Sequence, residues 1–229
     1  MTLAGFDIPL YDICAFVVFA LCWSAYIIFI DLSRWSNRTL ATSVNMYRMR
    51  WMKRLVDREN RVADTTLTTN LMRSVSFLAS TSILILGGLF ALFGTIDQSY
   101  LILKQLPFAT NSSKLLFEIK ILILSLIFVY AFFQFTWSFR QFNYFNILFG
   151  AAPDFNESEQ VKRLWVKRAA RLLDLAGHSF GSGLRAYYFA LAMLAWFFST
   201  TAFIIATLLV VAVQYRREFH SKTYKTLAE

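Results

Sequence analysis

The stretch ILILSLIFVYAFFQFTWSF, residues 121–139, decides the fold. No Asp, Glu, Lys or Arg interrupts it, and at 1.5 Å of rise per residue a helix of that length extends about 28 Å, close to the hydrocarbon thickness of a bilayer. Hydrocarbon offers no water to the backbone, so such a run must satisfy its own amides and carbonyls, as a helix does. Three more uncharged runs share the character: residues 13–30, broken only by the polar Ser24, residues 75–93, and residues 186–213. The last is the longest and would have to tilt or emerge into the interface. The expected fold is an all-α membrane protein with four transmembrane helices, residues 1–229 forming a single integral membrane domain.

Composition agrees. Of 229 residues 57% are hydrophobic and only 16% charged, against roughly 25% charged in a soluble domain. The net charge of +9 lies between the apolar runs rather than on one soluble face. Topology and anionic lipid headgroups account for that placement, and no nucleic acid is expected as a partner. Cys14 and Cys22 both fall in the first run, which excludes a disulfide scaffold and reads as two buried small hydrophobes. His178 and His220 are far apart with no ligand cluster beside them, so no metal or other cofactor is expected. No Lys or Arg precedes the first run, which reads as a retained anchor.

Orientation follows from the basic residues, because cytoplasmic connections retain them. Arg34, Arg38, Arg48, Arg50, Lys53, Arg54, Arg58, Arg61 and Arg73 follow the first run. Arg140, Lys162, Arg163, Lys167, Arg168, Arg171 and Arg185 lie between the third and fourth, whereas the middle connection has Lys104, Lys114 and Lys120. Four spans then place both termini outside the cytoplasm. The tail, with Arg216, Arg217, Lys222 and Lys225, runs against that orientation. A fifth span would remove the conflict, but its one candidate, residues 142–153, is too short to cross.

Both basic connections carry helical periodicity. Val44, Tyr47, Trp51, Leu55 and Val62 oppose Arg50, Lys53, Arg54, Asp57 and Arg61, which predicts an amphipathic helix over 44–63. Val161, Leu164, Trp165, Leu172 and Leu175 oppose Arg163, Lys167, Arg171 and Asp174, which predicts another over 157–176, capped around Asn156 and Glu159. Both are expected on the cytoplasmic side. Trp-x-Lys-Arg recurs in them, at Trp51 and at Trp165. Arg50, Trp51, Lys53, Arg54, Trp165, Lys167, Arg168, Arg185 and Tyr187 are therefore the candidate lipid or interface contacts.

Within the spans, Ser80, Thr81 and Ser82 with Gly87 and Gly88 read as a close-packing face or as hydroxyls along a polar path. Gln134, Arg140 and Asn143 extend that candidate path with Ser80 and Thr81, although Arg140 could equally snorkel to the interface. Asp12, Glu118 and Lys120 read as an entrance or as ordinary interfacial charges. Gly177, Gly181 and Gly183 lack the flanking strand and Lys of a phosphate loop and are expected to form a turn into the membrane. No catalytic motif is present, so an enzyme is not expected.

The segments LASTSILILGG (78–88), RQFNY (140–144) with GAAP (150–153), and GLRAYYF (183–189) carry a resemblance. The chain resembles the bacterial membrane family catalogued as domain of unknown function 599. That likeness implies helical membrane character in a bacterial inner membrane, no assigned activity, and attention to Arg140, Asn143, Pro153, Arg185 and Tyr187. The expected role is a non-enzymatic membrane protein that assembles with itself, around a narrow conduction path. The alternative is an accessory or scaffold subunit of a larger membrane complex, or a binder of anionic lipid.

Overall fold

The computed structural model of the chain describes residues 9–32, 39–105, 113–154 and 156–228. Eight helices lie among them: α1 Leu10–Leu32, α2 Leu40–Leu55, α3 Val62–Gly94, α4 Ile96–Gln105, α5 Lys114–Gly150, α6 Glu159–Ala195, α7 Thr200–His220 and α8 Lys222–Ala228. Three are long and apolar enough to cross a membrane: Leu10–Phe29 within α1, α3 and α5. The helices α1, α3 and α5 contain the apolar runs 13–30, 75–93 and 121–139. The protein is all-helical and has the character of a membrane protein.

The run 186–213 is not one helix. α6 stops at Ala195, and Trp196, Phe197 and Phe198 donate backbone bonds to Met193, Leu194 and Ala195 at 3.1, 3.2 and 3.1 Å, the tight i→i−3 pattern of a helix end. α7 begins anew at Thr200, where Ser199 Oγ faces the amide of Ala202 at 3.5 Å as an N-terminal cap. Uncharged composition hid the break, because a turn made of Trp, Phe and Ser is as free of charge as the helices it joins.

Two other expectations are corrected. The helix predicted over 44–63 ends at Leu55, and Asn60 Oδ1 accepts the amide of Val62 at 3.0 Å to start α3 instead. The segment 157–176 is not a separate helix but the first half of α6, begun at Ser158, whose Oγ accepts from the amide of Val161 at 3.4 Å. Gly177, Gly181 and Gly183 are thus helical rather than a turn. Residues 142–150 belong to α5.

The chain divides into two compact units. The first comprises residues 1–36, 82–130 and 185–217. In it Phe19 packs against Trp23, Phe189 and Phe203, with ring centroids 5.8, 5.6 and 5.1 Å away, and Trp196 stacks on Phe203 at 4.8 Å. The hydroxyls of Tyr11 and Thr201 lie 2.9 Å apart while the rings of Phe29 and Tyr215 lie 6.3 Å apart, so α7 runs alongside α1 in the same direction. Phe117 meets Phe197 and Phe128 meets Tyr187, so α5 and α6 run in opposite directions. Leu21, Leu84, Leu126 and Ile205 are all more than half exposed, an apolar exterior that lipid tails would cover. Cys14 is exposed and Cys22 intermediate, so the first is not the buried hydrophobe expected.

The second unit comprises residues 37–81, 131–184 and 218–229, with α8 packed on α2. Ser138 Oγ donates to the carbonyl of Ala176 at 2.7 Å and Trp165 Nε1 to the carbonyl of Leu148 at 2.9 Å, so α5 and α6 run in opposite directions within this unit, and Ser179 Oγ donates to Gln141 Oε1 at 3.1 Å. The buried face of α6 is Trp165, Val166, Ala169, Ala170, Leu173 and Ala176, while Val161 and Leu164 are exposed. The packing stripe is therefore turned from the one expected, because alanines let α6 approach its neighbours closely.

Candidate anion-binding cleft

In the second unit α2 and α6 form the walls of an open cleft of about 710 Å³. Met49, Lys53, Val56 and Asp57 line it from the α2 side, and Glu159, Lys162, Arg163, Val166 and Lys167 from α6. Four cations face two carboxylates over an apolar floor. Lys162 is only 8% exposed, and Glu159 approaches its ammonium at 3.9 Å, the outer limit of an ion pair.

Each wall is fixed by its tryptophan. Trp51 Nε1 donates to Asp64 Oδ1 at 2.6 Å, and Arg58 Nη1 donates to the same oxygen at 2.7 Å, tying α2 to the first turn of α3. Asp64 is fully buried and its Oδ2 has no hydrogen-bond partner. Trp165 Nε1 donates to the carbonyl of Leu148 at 2.9 Å, tying α6 to α5. Arg61 Nη2 reaches the carbonyl of Pro153 at 3.0 Å.

The walls are also joined to each other. Arg48 Nη1 lies 3.6 Å from Asp174 Oδ1, and Arg171 Nη1 donates to Asp174 Oδ2 at 3.1 Å. Burial lowers the pKa of Arg48 from the usual guanidinium value, and Asp174 pulls it partly back. Gly177 makes this contact possible, since a Cβ there would overlap the guanidinium of Arg48.

The residues expected to form a polar path are not gathered into one. Gln134 and Arg140 line a shallow concavity on α5 with Phe133, Thr136 and Trp137, but Ser80, Thr81 and Asn143 do not line it. Thr81 Oγ1 donates to the carbonyl of Phe77 in its own helix at 2.8 Å, and Ser80 and Asn143 are exposed. Arg140 Nε donates to the Tyr144 hydroxyl at 2.7 Å and its guanidinium lies over the Trp137 ring, an interfacial anchor's arrangement.

Of the expected interface residues, Lys53 and Lys167 line the cleft. Arg50 lies over the Tyr47 ring, Arg54 is exposed, and Arg168 lines a second concavity with Leu148, Arg171, Leu172 and Lys167, the last of which borders both. Arg185 and Tyr187 belong to the first unit, where the Tyr187 and Ser82 hydroxyls lie 2.8 Å apart. The residues read as an entrance are partly buried there. Asp12 Oδ1 accepts from Trp196 Nε1 and Thr200 Oγ1, each at 2.6 Å, and Lys120 Nζ donates to the carbonyl of Trp196 at 2.8 Å. Together they pin the turn between α6 and α7.

Comparison with known families bears on this chain at one point. The model of a family described as "Protein of unknown function, DUF599" matches residues 14–223. The chain belongs to the DUF599 family. The match runs from α1 into α8 and includes both walls of the cleft. No curated protein and no solved structure matches this DUF599 member.

Sequence reasoning missed Asp64, Arg48 with Asp174, and the pairing of Gln141 with Ser179. Those contacts span 13, 126 and 38 residues and leave no local spacing to read. The repeated Trp-x-Lys-Arg was the available signal for the cleft.

Proposed function

We propose that this DUF599 member is a non-enzymatic, multi-pass protein of a bacterial inner membrane with five crossing helices, α1, α3, α5, α6 and α7. Its role is to engage anionic lipid on its basic side, as an accessory protein of the membrane rather than a conductor. The observation that carries this reading is the cleft: cations from α2 and α6 meet over an apolar floor, while the hydroxyls and amides expected to line a path are scattered or spent on their own helix.

The helix registers support five crossings. α7 accompanies α1 from Tyr11 to Phe29, across that helix's apolar length, and α6 accompanies α5 from Phe117 to Phe128. Helices packed along membrane spans share their solvent. An odd number of crossings puts α2, the α5–α6 connection and the tail with Arg216, Arg217, Lys222 and Lys225 on one side, which brings the tail into line with the positive-inside rule. The termini then lie on opposite sides, with the C-terminus cytoplasmic.

Single cysteines placed at Thr2 and at Thr226, in a chain whose Cys14 and Cys22 are replaced by Ser, test this in sealed cells. Labelling from outside only at position 2 is the expected result, and equal labelling of both would return the count to four. Purified protein in liposomes should pass no ion above empty vesicles; a flux lost on Asn143→Leu would restore conduction.

A second reading, self-assembly, has its own observation. Gly87 and Gly88 are exposed on α3, and a Cβ at either would meet nothing within 4 Å. A face of small residues left open by its own chain suits another copy's helix. Disulfide cross-linking through Gly88→Cys in a chain otherwise free of Cys should give a dimer; only monomer would remove this reading.

A further inference from the structure

We infer that the cleft between α2 and α6 holds the phosphate of an anionic phospholipid headgroup, with Lys53 and Lys167 as the paired ligands from opposite walls. This rests on the reading that the basic side faces anionic lipid, and it names the place and chemistry of that contact.

The two Trp-x-Lys-Arg motifs supply the argument. In each, the tryptophan indole is consumed by a neighbouring helix, Trp51 by Asp64 and Trp165 by the carbonyl of Leu148. Two residues further along a helix is a rotation of about 200°, so fixing the indole inward directs the lysine to the far side. Lys53 and Lys167 accordingly line one and the same cleft, whereas Arg54 and Arg168, the next residues, do not line it. Arg163 adds a third exposed cation one turn before Lys167 on α6. Lys162 also lines the cleft, where its ammonium already faces Glu159 at 3.9 Å.

Charge complementarity selects a phosphate. Four cations outnumber the two carboxylates, Asp57 and Glu159, in the lining, which leaves charge for one anion. Met49, Val56 and Val166 provide an apolar floor that inorganic phosphate does not need and the glycerol and first acyl carbons of a phospholipid do. A lipid thus fits both the polar and the apolar parts of the site.

The test compares matched charge losses within the motifs. Full-length protein in neutral detergent is titrated with short-chain phosphatidylglycerol or phosphatidylcholine, and bound lipid is counted by native mass spectrometry. Wild type should prefer phosphatidylglycerol. Lys53→Gln with Lys167→Gln should weaken that binding about tenfold or more, on a scale of about fivefold per cation near a headgroup. Arg54→Gln with Arg168→Gln should stay near wild type, and Lys53→Arg with Lys167→Arg should retain binding. All four side chains are exposed, and each variant's melting temperature verifies its fold.

Equal weakening by the two Gln pairs would overturn the cleft while leaving a diffuse basic side intact. No preference for phosphatidylglycerol in the wild type would overturn both. Full displacement of the lipid by millimolar inorganic phosphate would overturn the lipid as occupant in favour of a soluble phosphate.

Discussion

Replacing Gly183 by Ala tests how closely α5 and α6 approach. A Cβ at this position would stand 2.5, 2.7 and 2.8 Å from Cε1, Cζ and Cδ1 of Phe135. Carbon atoms in ordinary contact sit at about 3.5–4.0 Å, so the ring must retreat by about 1 Å. It has little room, because Phe135 is fully buried and Phe180 lies 5.9 Å from it, centroid to centroid. Overpacking of this kind costs about 1–3 kcal/mol, against a gain of about 0.8–1.0 kcal/mol from replacing a helical Gly by Ala. The net loss is about 0–2 kcal/mol, or up to roughly 8 °C in melting temperature for a chain of this length, and the deficit against a glycine whose Cβ meets nothing is the full overpacking cost of about 1–3 kcal/mol. Thermal unfolding in detergent, followed by a thiol-independent dye or by light scattering, measures it. Gly87→Ala is the control: its Cβ meets nothing, so the propensity gain of up to about 1 kcal/mol stands alone and the melting temperature holds or rises. Adding Phe135→Leu to Gly183→Ala should cost less than the two changes taken separately, since the clash disappears with the ring. A Gly183→Ala protein as stable as the Gly87→Ala control would refute the close approach, and with it the explanation of why this glycine sits mid-helix.

Asp12→Ala removes an acceptor shared by Trp196 and Thr200 in a buried setting and should lower stability by about 2–4 kcal/mol, read by melting temperature. Proteolysis between α6 and α7 should rise in the same variant. Asp64→Ala leaves the Trp51 indole without its acceptor, at a cost of about 1–3 kcal/mol; Arg58 adds little because its side chain is 44% exposed. An unchanged midpoint would show that α2 is not tied to α3 through this carboxylate. Asp174→Asn strips the half-buried Arg48 of its nearest counter-charge and should cost about 1 kcal/mol after allowance for solvent, an effect that shrinks to the small share of the exposed Arg171 pair in a background where Arg48 is already Met. Additivity of those two substitutions would mean that the ion pair contributes nothing.

Three helices were readable as uncharged runs because lipid demands length and low charge, and both can be counted. Direction cannot be counted. The reversal at residues 196–199 lies inside a run that hydropathy treats as continuous, and its markers, Ser199, Thr200 and Thr201, are also commonplace inside membrane helices. Arg216, Arg217, Lys222 and Lys225 were the sequence's own sign that four crossings fit the positive-inside rule poorly. The glycines misled for a related reason. Gly serves a turn and a close approach equally well, and only the partners, Arg48 at Gly177 and Phe135 at Gly183, distinguish the two uses. Helix faces were displaced because apolar size was taken as the mark of burial. Val161 and Leu164 are large and exposed, while Ala169, Ala170 and Ala176 are small and buried, which is what close packing of membrane helices selects.

The cleft was visible only as a coincidence of three residues, Trp, Lys and Arg, in a four-residue pattern. What turns the coincidence into geometry is that each tryptophan has a fixed partner, for a helix whose indole is held loosely could present its lysine in any direction. Asp64 accordingly governs the cleft although it does not line it. By accepting from Trp51 it sets the rotation of α2 about its axis, and the carbonyl of Leu148 does the same for α6 through Trp165. If this is correct, Trp51→Phe, which keeps the ring and deletes the donor, should weaken phosphatidylglycerol binding more than Arg54→Gln does, although the phenyl ring is uncharged and Arg54 is a cation. The opposite order would mean that charge alone, without the orientation supplied by the indole, determines what the basic side binds.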